Sequence, residues 1–488
     1  MKEMMKKAAF HNLGCKVNSY ELDIMRQILL EEGYEEVPFH EQADVYVINT
    51  CTVTNIADRK SRQMLHRAKK QNREAVVIAA GCYVETDPER VEKDDAIDLV
   101  IGNNRKSEIG TILREYLENR EKQRGGKEPE KEEEQGRQDK PFFKEDLTCS
   151  PVYEDMQLEV PGHTRAFIKI QDGCNQFCSY CIIPFARGRI RSRDKEEILR
   201  EAERLAAGGI REIVLTGIHV SSYGLDRGAE GPVRFDPDKS GDALLDLLQD
   251  LSSVNGLERI RLSSLEPRIM TESFISRLAA LHKVCPHFHL SLQSGCDETL
   301  RRMNRHYTAA EYAQSVCLLR QYYDRPALTT DVIVGFPGET EEEFETTCAF
   351  LENIGFYEIH VFRYSRRNGT VAAKRKDQIP EPVKAVRSDR LLEMTAAQAA
   401  AYRAQFAGER ETLLLEEVCE HEGVDYWTGN TTRYVTGAFP VSASEGTGTL
   451  KAGDLVSGVF GTREIPFSRG AALFFIPDDF PAPTGHVQ

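Results

Sequence analysis

The chain has 488 residues, a formal net charge of −15 and an isoelectric point near 5.4. This length allows two to four domains. No apolar run is long enough to cross a bilayer, and the charged N-terminus precedes an apolar run too short for a signal peptide. We therefore expect a cytoplasmic protein with no membrane partner.

The acidic balance and the cysteine content narrow the possible chemistry. Nucleic-acid binders are usually basic, so the net charge argues mildly against such a partner. The strongest acidic run lies in a predicted linker, however, and binding depends on local charge. Twelve cysteines in a cytoplasmic chain favour metal or redox chemistry over disulfides.

Residues 1–117 alternate apolar strands with amphipathic helices. The strands are predicted at 8–10, 44–49, 75–80 and 97–101, and the helices at 19–31 and 55–72. Buried strands separated by helices are typical of a parallel, doubly wound sheet. This α/β unit is the first predicted domain.

A second run of strands and helices occupies residues 159–400, after a charged linker at 118–158 that is poor in apolar residues. The strands are predicted at 166–171, 212–216, 258–263, 287–293, 328–334 and 358–364. Six successive βα units predict a partial (β/α)6 barrel, with the active site at the carboxyl ends of its strands.

Residues 401–477 are predicted to form a small closed β-barrel, followed by a tail at 478–488. Short strands at 412–418, 433–439 and 454–460 are separated by Gly and Asn turns. Small β-barrels often bind nucleic acid by stacking and electrostatics. Basic residues are sparse in this segment, which departs from a strong RNA-binding pattern.

The strongest chemical signal is a CxxxCxxC motif formed by Cys174, Cys178 and Cys181, directly after the first barrel strand. A [4Fe–4S] cluster is commonly held by four cysteines, so three leave one iron open. That open position suits the amino and carboxylate groups of S-adenosylmethionine. A structural zinc site with a distant fourth ligand is the alternative, but the position after the first strand of a (β/α) array argues against it.

Three further cysteines, Cys15, Cys51 and Cys82, each follow a predicted strand and precede a helix. The carboxyl ends of parallel strands lie on one edge of a sheet, so these loops can bring the thiolates together. Gly14 and Gly81 permit tight turns before two of them. One such cysteine would be read as a small buried hydrophobe, but three in the same topological place predict a second three-cysteine cluster.

Four segments resemble the radical S-adenosylmethionine methylthiotransferase family: GCKVNSYE at 14–21, NTCTVT at 49–54, GCNQFCSYCIIPFARGRIRSR at 173–193 and DVIVGFPGET at 331–340. The resemblance covers nearly the whole chain. It implies an N-terminal auxiliary-cluster domain, a core of radical-SAM type and a C-terminal TRAM-like RNA-binding barrel. It also implies two [4Fe–4S] clusters and two S-adenosylmethionine molecules per turnover. One molecule methylates sulfur on the auxiliary cluster, and the other yields the 5′-deoxyadenosyl radical that removes hydrogen from the substrate carbon.

The opening GCKVNSYE and the ending ARGRIRSR are most similar to the branch that acts on N6-threonylcarbamoyladenosine in tRNA. The resemblance implies the tRNA anticodon stem-loop as substrate, an electron donor such as a flavodoxin or ferredoxin, and a monomer. Isopentenyladenosine in tRNA and an aspartate of a ribosomal protein are the alternative substrates. A non-catalytic, metal-stabilised RNA-binding module is the alternative of another class.

Basic residues lie close to both cysteine sites and could bind the phosphates of a folded RNA. We predict RNA contacts for Arg59, Lys60, Arg62, Arg67, Arg187, Arg191 and Arg193. A solvated charged face explains any single one of these groups equally well. Their shared proximity to the cysteines favours RNA.

Loops at the carboxyl ends of the barrel strands are the place to look for S-adenosylmethionine ligands. Glu266, Gln293 and Asp331 lie there and could bond the ribose, amino or carboxylate groups. Arg189, just past the cluster loop, could pair with the carboxylate. Each of these residues taken alone could equally be structural.

Overall fold

The computed structural model describes residues 6–125, 140–147, 152–159, 164–228, 233–237, 239–444 and 450–478. Three units follow one another along the chain: a six-stranded sheet, an array of parallel strands and a closed β-barrel. None of the helices in these ranges combines the length and apolar character needed to span a membrane.

The first unit is a parallel sheet with strand order β2-β1-β3-β4-β5-β6. Its strands are β1 Lys7–Asn12, β2 Glu35–Glu36, β3 Val45–Thr50, β4 Val76–Gly81, β5 Leu99–Ile101 and β6 Phe142–Phe143. Its helices are α1 Lys16–Glu31, α2 Asn55–Gln71, α3 Cys82–Thr86, α4 Pro88–Glu92 and α5 Ile109–Gly125. Separate apolar cores lie on the two faces, one under α2 and one under α1 and α5. The doubly wound sheet predicted from the sequence is confirmed.

The interval expected to be a linker contributes to this unit. Helix α5 continues to Gly125, past the expected boundary at 117. Phe142 and Phe143 then pair with β5 and add an edge strand. Two adjacent aromatic residues supply enough apolar surface to hold that edge, although the surrounding composition is highly charged. Much of the expected linker, including residues 126–139, lies outside the described residues, as do residues 479–488 of the expected tail.

The second unit carries six parallel strands and one short antiparallel edge strand. The strands are β7 Ala166–Asp172, β8 Arg191–Ser192, β9 Glu212–Gly217, β10 Arg259–Leu262, β11 His287–His289, β12 Ala327–Val334 and β13 Glu358–Arg363. The helices are α6 Ile183–Ala186, α7 Lys195–Ala207, α8 Asp242–Ser252, α9 Glu272–Ala279, α10 Asp297–Arg302, α11 Ala309–Tyr322, α12 Glu341–Ile354 and α13 Glu381–Ala404.

These strands form one open array in the order β7-β9-β10-β11-β12-β13. Regular ladders join β7, β9 and β10, and others join β11, β12 and β13. A parallel bridge from Leu265 to Leu290 connects the two halves. A large apolar core fills the space between the strands and the outer helices. This is the predicted partial (β/α)6 barrel.

The third unit is a closed five-stranded barrel with order β14-β15-β16-β18-β17. Its strands are β14 Arg410–His421, β15 Val424–Asn430, β16 Thr436–Pro440, β17 Leu455–Phe467 and β18 Gly470–Pro477. Tyr434 of this barrel lies where the core strands begin, with its ring 3.5 Å below the Arg261 guanidinium and 4.6 Å from the His287 ring. The barrel therefore covers the amino ends of the core strands and leaves their carboxyl ends open.

Candidate active site

Cys15, Cys51 and Cys82 follow three strands that are neighbours in the N-terminal sheet. β1, β3 and β4 lie side by side, and Thr50 is registered against Gly81, so Cys51 and Cys82 leave the sheet at the same level. Gly14 has a φ of 116°, and a β-carbon there would lie 3.1 Å from the Cys51 sulfur. The loop that carries Cys15 therefore passes directly beside Cys51, and the three thiols lie at one edge of the sheet.

The thiols of this triad influence one another electrostatically. Burial raises the pKa of Cys51 to about 12, and the neighbouring Cys82 and Cys15 contribute in the same direction. Burial also raises the pKa of Cys82. Thiols in such a site become thiolates only when a positive group offsets their charge, as metal binding does.

Cys174, Cys178 and Cys181 occupy the loop after β7. A β-carbon on Gly173, which has a φ of 70°, would lie 1.8 Å from the carbonyl oxygen of Arg189, so only glycine fits before the first cysteine. Burial raises the pKa of Cys174 to about 12, and Cys178 raises it further. Burial and both partner thiolates likewise raise the pKa of Cys181. The second triad is thus also assembled in space.

The sulfurs of neither triad are drawn together as a single zinc ion would hold them. Tetrahedral zinc with bonds of 2.3 Å holds its sulfurs about 3.8 Å apart. Within the described residues, one set of three ligand-type side chains brings its ligand atoms within 4.8 Å of one another, and it contains no cysteine. In each cysteine triad at least one pair of sulfurs therefore lies more than 4.8 Å apart.

Each triad has one buried arginine that donates a hydrogen bond to a cysteine sulfur. The Nε of Arg187 lies 3.3 Å from the Cys82 sulfur, and the Nη1 of Arg305 lies 3.3 Å from the Cys178 sulfur. Hydrogen bonds to ligand sulfurs orient them and stabilise the charge of a cluster. The donor set of both sites therefore fits thiolate-bound clusters.

Arg187 belongs to a dense network of buried charges beside Cys82. Glu21 and Asp172 form ion pairs with the four buried cations of this network, which are Lys106, Lys169, Arg187 and Arg191. The carboxylates of Glu85 and Glu154 also lie within electrostatic reach of these cations. Burial raises the pKa of Cys82, and Arg187 and Lys106 act in the opposite direction, as they would to stabilise an anionic cluster on this thiolate.

The structure corrects three of the RNA contacts expected from the sequence. Arg187, Arg191 and Arg193 are at most 1% exposed. Arg191 pairs with Asp172 at 3.2 Å, and Arg193 pairs with Glu201. Arg187 and Arg193 hold α1 of the N-terminal sheet against the core through Glu21 and Tyr20. None of the three arginines presents its side chain to an RNA.

The predicted S-adenosylmethionine residues lie around the carboxyl ends of the core strands. Glu266 is buried and receives hydrogen bonds from Arg268 at 2.8 Å and from Arg305 at 3.1 Å. Although burial acts against it, Arg305 holds the pKa of Glu266 below its usual range. Glu266 is therefore tied to Cys178 through Arg305, which makes it a support of the cluster loop.

The other three predicted residues, Gln293, Asp331 and Arg189, remain available to contact a ligand. Gln293 has a φ of 73°, a conformation that is costly outside glycine and concentrates at functional sites. Asp331 lies on the inner face of β12, with its carboxylate 3.3 Å from the Nε2 of His289. Arg189 is exposed and lies over the ring of Phe177 at 4.7 Å. Their roles stay predictions.

The inner face of the core strands carries three histidines, His287, His289 and His360. His289, Asp331 and His360 bring their ligand atoms within 4.8 Å of one another. His287 is 7% exposed, and its Nδ1 has no hydrogen-bond partner among the described residues. Strand alternation places these side chains opposite Phe288 and Leu290, which face the helices. The hollow side of the array is thus polar.

A cavity of about 940 Å³ lies where the three units meet. Its wall includes Cys15, Lys16 and Arg165, and it also includes Arg211, Lys451 and Arg469 from the surrounding loops. The cavity adjoins a second one of about 890 Å³ along the core and the C-terminal barrel. These volumes suit a nucleoside-sized ligand. One of the predicted cluster cysteines thus opens onto a basic cavity.

The remaining predicted RNA contacts lie on the outer face of α2. Arg59, Lys60 and Arg67 are exposed and Arg62 is partly buried. Arg59 and Arg62, together with residues near α4, line an open groove of about 1130 Å³. This groove is a separate surface from the cavity beside Cys15. The residues are available to a phosphate backbone.

Fold and site together define a radical enzyme with two iron–sulfur clusters. Residues 168–351 match the Radical SAM superfamily, and residues 7–102 match Uncharacterized protein family UPF0004. The chain is 40% identical over 440 residues to threonylcarbamoyladenosine tRNA methylthiotransferase MtaB of Bacillus subtilis, covering 89% of this chain and 90% of that protein. Identity to the protein of the same name from Aquifex aeolicus is also 40%, over 84% of this chain and 93% of that protein. The chain belongs to the radical S-adenosylmethionine methylthiotransferase family.

More distant comparisons agree with the family and with the fold. A Clostridium botulinum protein named tRNA-2-methylthio-N(6)-dimethylallyladenosine synthase is 33% identical over 84% of this chain and 86% of its own length. The methyltransferase TsrM from Kitasatospora setae, whose structure has cobalamin and a [4Fe–4S] cluster bound, aligns with a TM-score of 0.52. Its identity is 17%, over 76% of this chain and 74% of that one, so this likeness concerns the fold alone. As a member of its family, the protein uses two [4Fe–4S] clusters and S-adenosylmethionine.

Proposed function

We propose that this protein converts N6-threonylcarbamoyladenosine, next to the tRNA anticodon, to its 2-methylthio derivative. The observation that carries the proposal is the 40% identity, over most of both chains, to relatives named for this reaction. The relative named for dimethylallyladenosine is less similar, at 33% identity. The geometry supports the same reaction class, because two cysteine triads meet at one interface.

The two triads are held close together by shared contacts. Arg187 follows the Cys181 loop in the core and donates to the Cys82 sulfur of the other triad. The side-chain nitrogen of Asn103 lies 3.8 Å from the same sulfur and 2.9 Å from the carbonyl oxygen of Ala186. We propose that Cys174, Cys178 and Cys181 hold the radical-generating cluster, and that Cys15, Cys51 and Cys82 hold the auxiliary one.

When bound, the clusters and S-adenosylmethionine supply a carbon radical and a methylated sulfur. The protein's own residues position the substrate between them and exclude water. The cavity beside Cys15 is large enough for the modified adenosine. Exposed cations on its rim, among them Arg211 and Lys451, are placed to contact phosphates of the anticodon stem-loop. The groove with Arg59 and Arg62 offers a second set of phosphate contacts.

Three further features complete the proposal. Reductive cleavage of S-adenosylmethionine consumes an electron, so a low-potential donor such as a flavodoxin or ferredoxin serves as partner. The enzyme acts as a monomer, because both triads and the cavity are built from one chain. A tRNA substrate places the reaction in the cytoplasm.

Nucleoside mass spectrometry tests the proposal. In tRNA from a host that lacks this gene, we expect 2-methylthio-N6-threonylcarbamoyladenosine to disappear and its unthiolated precursor to accumulate. The purified protein, reconstituted with iron and sulfide, should restore the product on an anticodon stem-loop. Loss of the isopentenyl counterpart instead would move the substrate to the sister branch. An unchanged nucleoside profile would remove tRNA as the substrate, and zinc without iron in the anaerobically purified protein would contradict the enzyme itself.

A further inference from the structure

We propose that Lys16 and Arg165 form an anion site in the cavity beside Cys15, and that this site binds the carboxylate of the N6-threonylcarbamoyl group. The inference rests on the proposed function and deepens it, because it names the residues that select this substituent. Both residues line the cavity at the junction of the three units.

Lys16 differs from the cations around it. It has no hydrogen-bond or ion-pair partner among the described residues, and the charges within its electrostatic reach are Arg165, Arg261 and Glu212. Glu212 is already bound to Arg261 at 2.9 Å and 3.2 Å. A cation without a carboxylate of its own gains from an incoming anion more than a paired one does.

Arg165 is only partly neutralised. Its Nη2 lies 3.3 Å from a Glu416 carboxylate oxygen, and its Nη1 lies 3.8 Å from Glu212. That Nη1 is buried and makes no hydrogen bond within the described part of the chain. Glu212 is already shared with Arg261 and with Arg259. Arg165 therefore offers a buried N–H donor on the wall that Lys16 also lines.

The charge of this corner of the cavity is positive overall. Its wall carries five cations, Lys16, Arg165, Arg211, Lys451 and Arg469, and three carboxylates, those of Glu416, Glu417 and Asp454. An apolar substituent placed here would leave the excess charge unpaired in a confined space, which is unfavourable. A carboxylate would pair it. The corner therefore favours an anionic N6 substituent and disfavours a hydrocarbon one.

The position of Lys16 relative to Cys15 suits the reaction chemistry. In adenine, C2 and N6 flank N1 on the same edge of the ring, so a substituent on N6 lies close to C2. Lys16 directly follows Cys15 in the chain and lines the same cavity. A base whose C2 faces the Cys15 side of the cavity can therefore present its N6 substituent to Lys16.

Binding of matched RNAs tests the inference. Three anticodon stem-loops of one sequence carry N6-threonylcarbamoyladenosine, isopentenyladenosine or unmodified adenosine. Their affinities are measured anaerobically on the holoenzyme for the wild type, Lys16→Gln, Lys16→Arg and the control Lys239→Gln, which alters an exposed lysine. Lys16→Gln should reduce the preference for the threonylcarbamoyl RNA over the unmodified RNA by about 10- to 100-fold, as expected for one charge-assisted hydrogen bond.

The same variant should bind the unmodified RNA within about twofold of the wild type, since an uncharged substituent does not engage the site. Lys16→Arg should recover most of the preference, and Lys239→Gln should change nothing. Arg165→Gln should reduce the preference in the same direction as Lys16→Gln. Iron content and the electron paramagnetic resonance spectrum are recorded for each variant, so that damage to the neighbouring cluster is seen directly.

Two results would overturn the inference. Equal weakening of all three RNAs by Lys16→Gln would assign Lys16 to a backbone phosphate, and an unchanged preference would remove it from recognition. The wild type tests the proposed function separately in the same experiment. If it prefers the isopentenyl RNA, the proposed substrate is wrong, whatever Lys16 does.

Discussion

Arg187 donates a hydrogen bond from its Nε to the sulfur of Cys82 at 3.3 Å, across the boundary between the core and the N-terminal sheet. Its other donors are used as well. Nη1 binds Glu21 at 2.8 Å and Asp172 at 3.2 Å, and Nη2 binds Asn18 at 2.7 Å and Glu21 at 3.0 Å. A fully buried guanidinium thus joins the auxiliary-cluster site to the loop that follows the radical-cluster cysteines.

Replacement of Arg187 should change the auxiliary cluster selectively. Arg187→Lys keeps the positive charge but loses the Nε donor, so the cluster sulfurs lose a bond that stabilises added negative charge. We expect the reduction potential of the auxiliary cluster to fall by tens of millivolts, roughly the size of one weakened hydrogen bond to a ligand sulfur. A redox titration followed by electron paramagnetic resonance measures the shift.

Arg305→Lys is the matched variant for the other cluster. Arg305 donates to Cys178 with the same distance of 3.3 Å, and it is also tied to a buried carboxylate, that of Glu266. Its replacement should lower the potential of the radical-generating cluster and leave the auxiliary one in place. Equal shifts of both clusters in either variant would show that the two arginines act through overall charge and not through their hydrogen bonds.

Glu21 should stabilise the contact between the N-terminal sheet and the core in a pH-dependent way. Although burial acts to raise its pKa, Arg187, Lys106 and Lys169 hold the pKa well below the usual value of 4.5. A carboxylate with a depressed pKa stabilises the folded state fully above about pH 4.5, the pKa of the unfolded chain. This stabilisation is lost as the pH falls from there towards the pKa of the folded state. Glu21→Gln leaves three buried cations without this partner, so we expect a loss of about 3–5 kcal/mol at pH 7.

Denaturant unfolding at pH 7, 5 and 4 measures this effect. The difference between wild type and Glu21→Gln should be the same at pH 7 and pH 5 and should shrink at pH 4. Glu31→Gln alters an exposed acid on the same helix and should change stability by less than about 0.5 kcal/mol. A difference for Glu21→Gln that stays constant down to pH 4 would contradict the assigned direction of its pKa.

The sequence predicted the strand–helix order and the two cysteine triads because both follow from local patterns. Apolar strands mark parallel sheets, and cysteines at strand ends mark one sheet edge. The burial of Arg187, Arg191 and Arg193 could not be predicted, because a run of arginines looks the same on a surface and in an ion-pair network. Glu21, the partner that most clearly decides between the two, lies 166 residues away from Arg187.

Long-range packing also explains what else the sequence missed. Lys16 stands inside the GCKVNSYE segment, but only the packing of three units turns its surroundings into a basic cavity. Tyr434 lies in an ordinary turn of the C-terminal barrel and becomes informative through its contact with Arg261 in the core. Asn18 and Glu21 of the same segment are polar residues of α1 that are buried against the core. Their presence in that segment was the signal in the sequence that could have indicated a buried polar contact.

Single cysteine variants should separate the two clusters by iron content and by partial reaction. Cys51→Ala should reduce bound iron from about eight to about four atoms per chain, since one of two four-iron clusters is lost. Cleavage of S-adenosylmethionine to 5′-deoxyadenosine should persist, because the Cys174 loop is intact. Cys178→Ala should give a similar loss of iron and should abolish that cleavage.

The buried Cys296 is the control for these variants, since it belongs to neither triad. Cys296→Ala should keep both the iron content and the cleavage activity. Cleavage that disappears in Cys51→Ala, with its remaining four irons intact, would contradict the division of labour between the triads. Iron analysis and chromatography of 5′-deoxyadenosine on the same samples provide both readings.

We expect the basic cavity and the α2 groove to make different contributions to RNA binding, which the salt dependence of binding should distinguish. Each lost phosphate contact lowers the slope of log affinity against log salt by about 1. Arg211→Ala and Lys451→Ala alter exposed cations of the cavity, and Arg59→Ala and Lys70→Ala alter exposed cations of the groove. With an isolated anticodon stem-loop we expect the cavity variants to lower the slope, because that short RNA must enter the cavity to reach Cys15. The groove variants should matter only with full-length tRNA, which is long enough to reach both surfaces. A lowered slope for Arg59→Ala with the stem-loop alone would instead place the RNA entrance at α2.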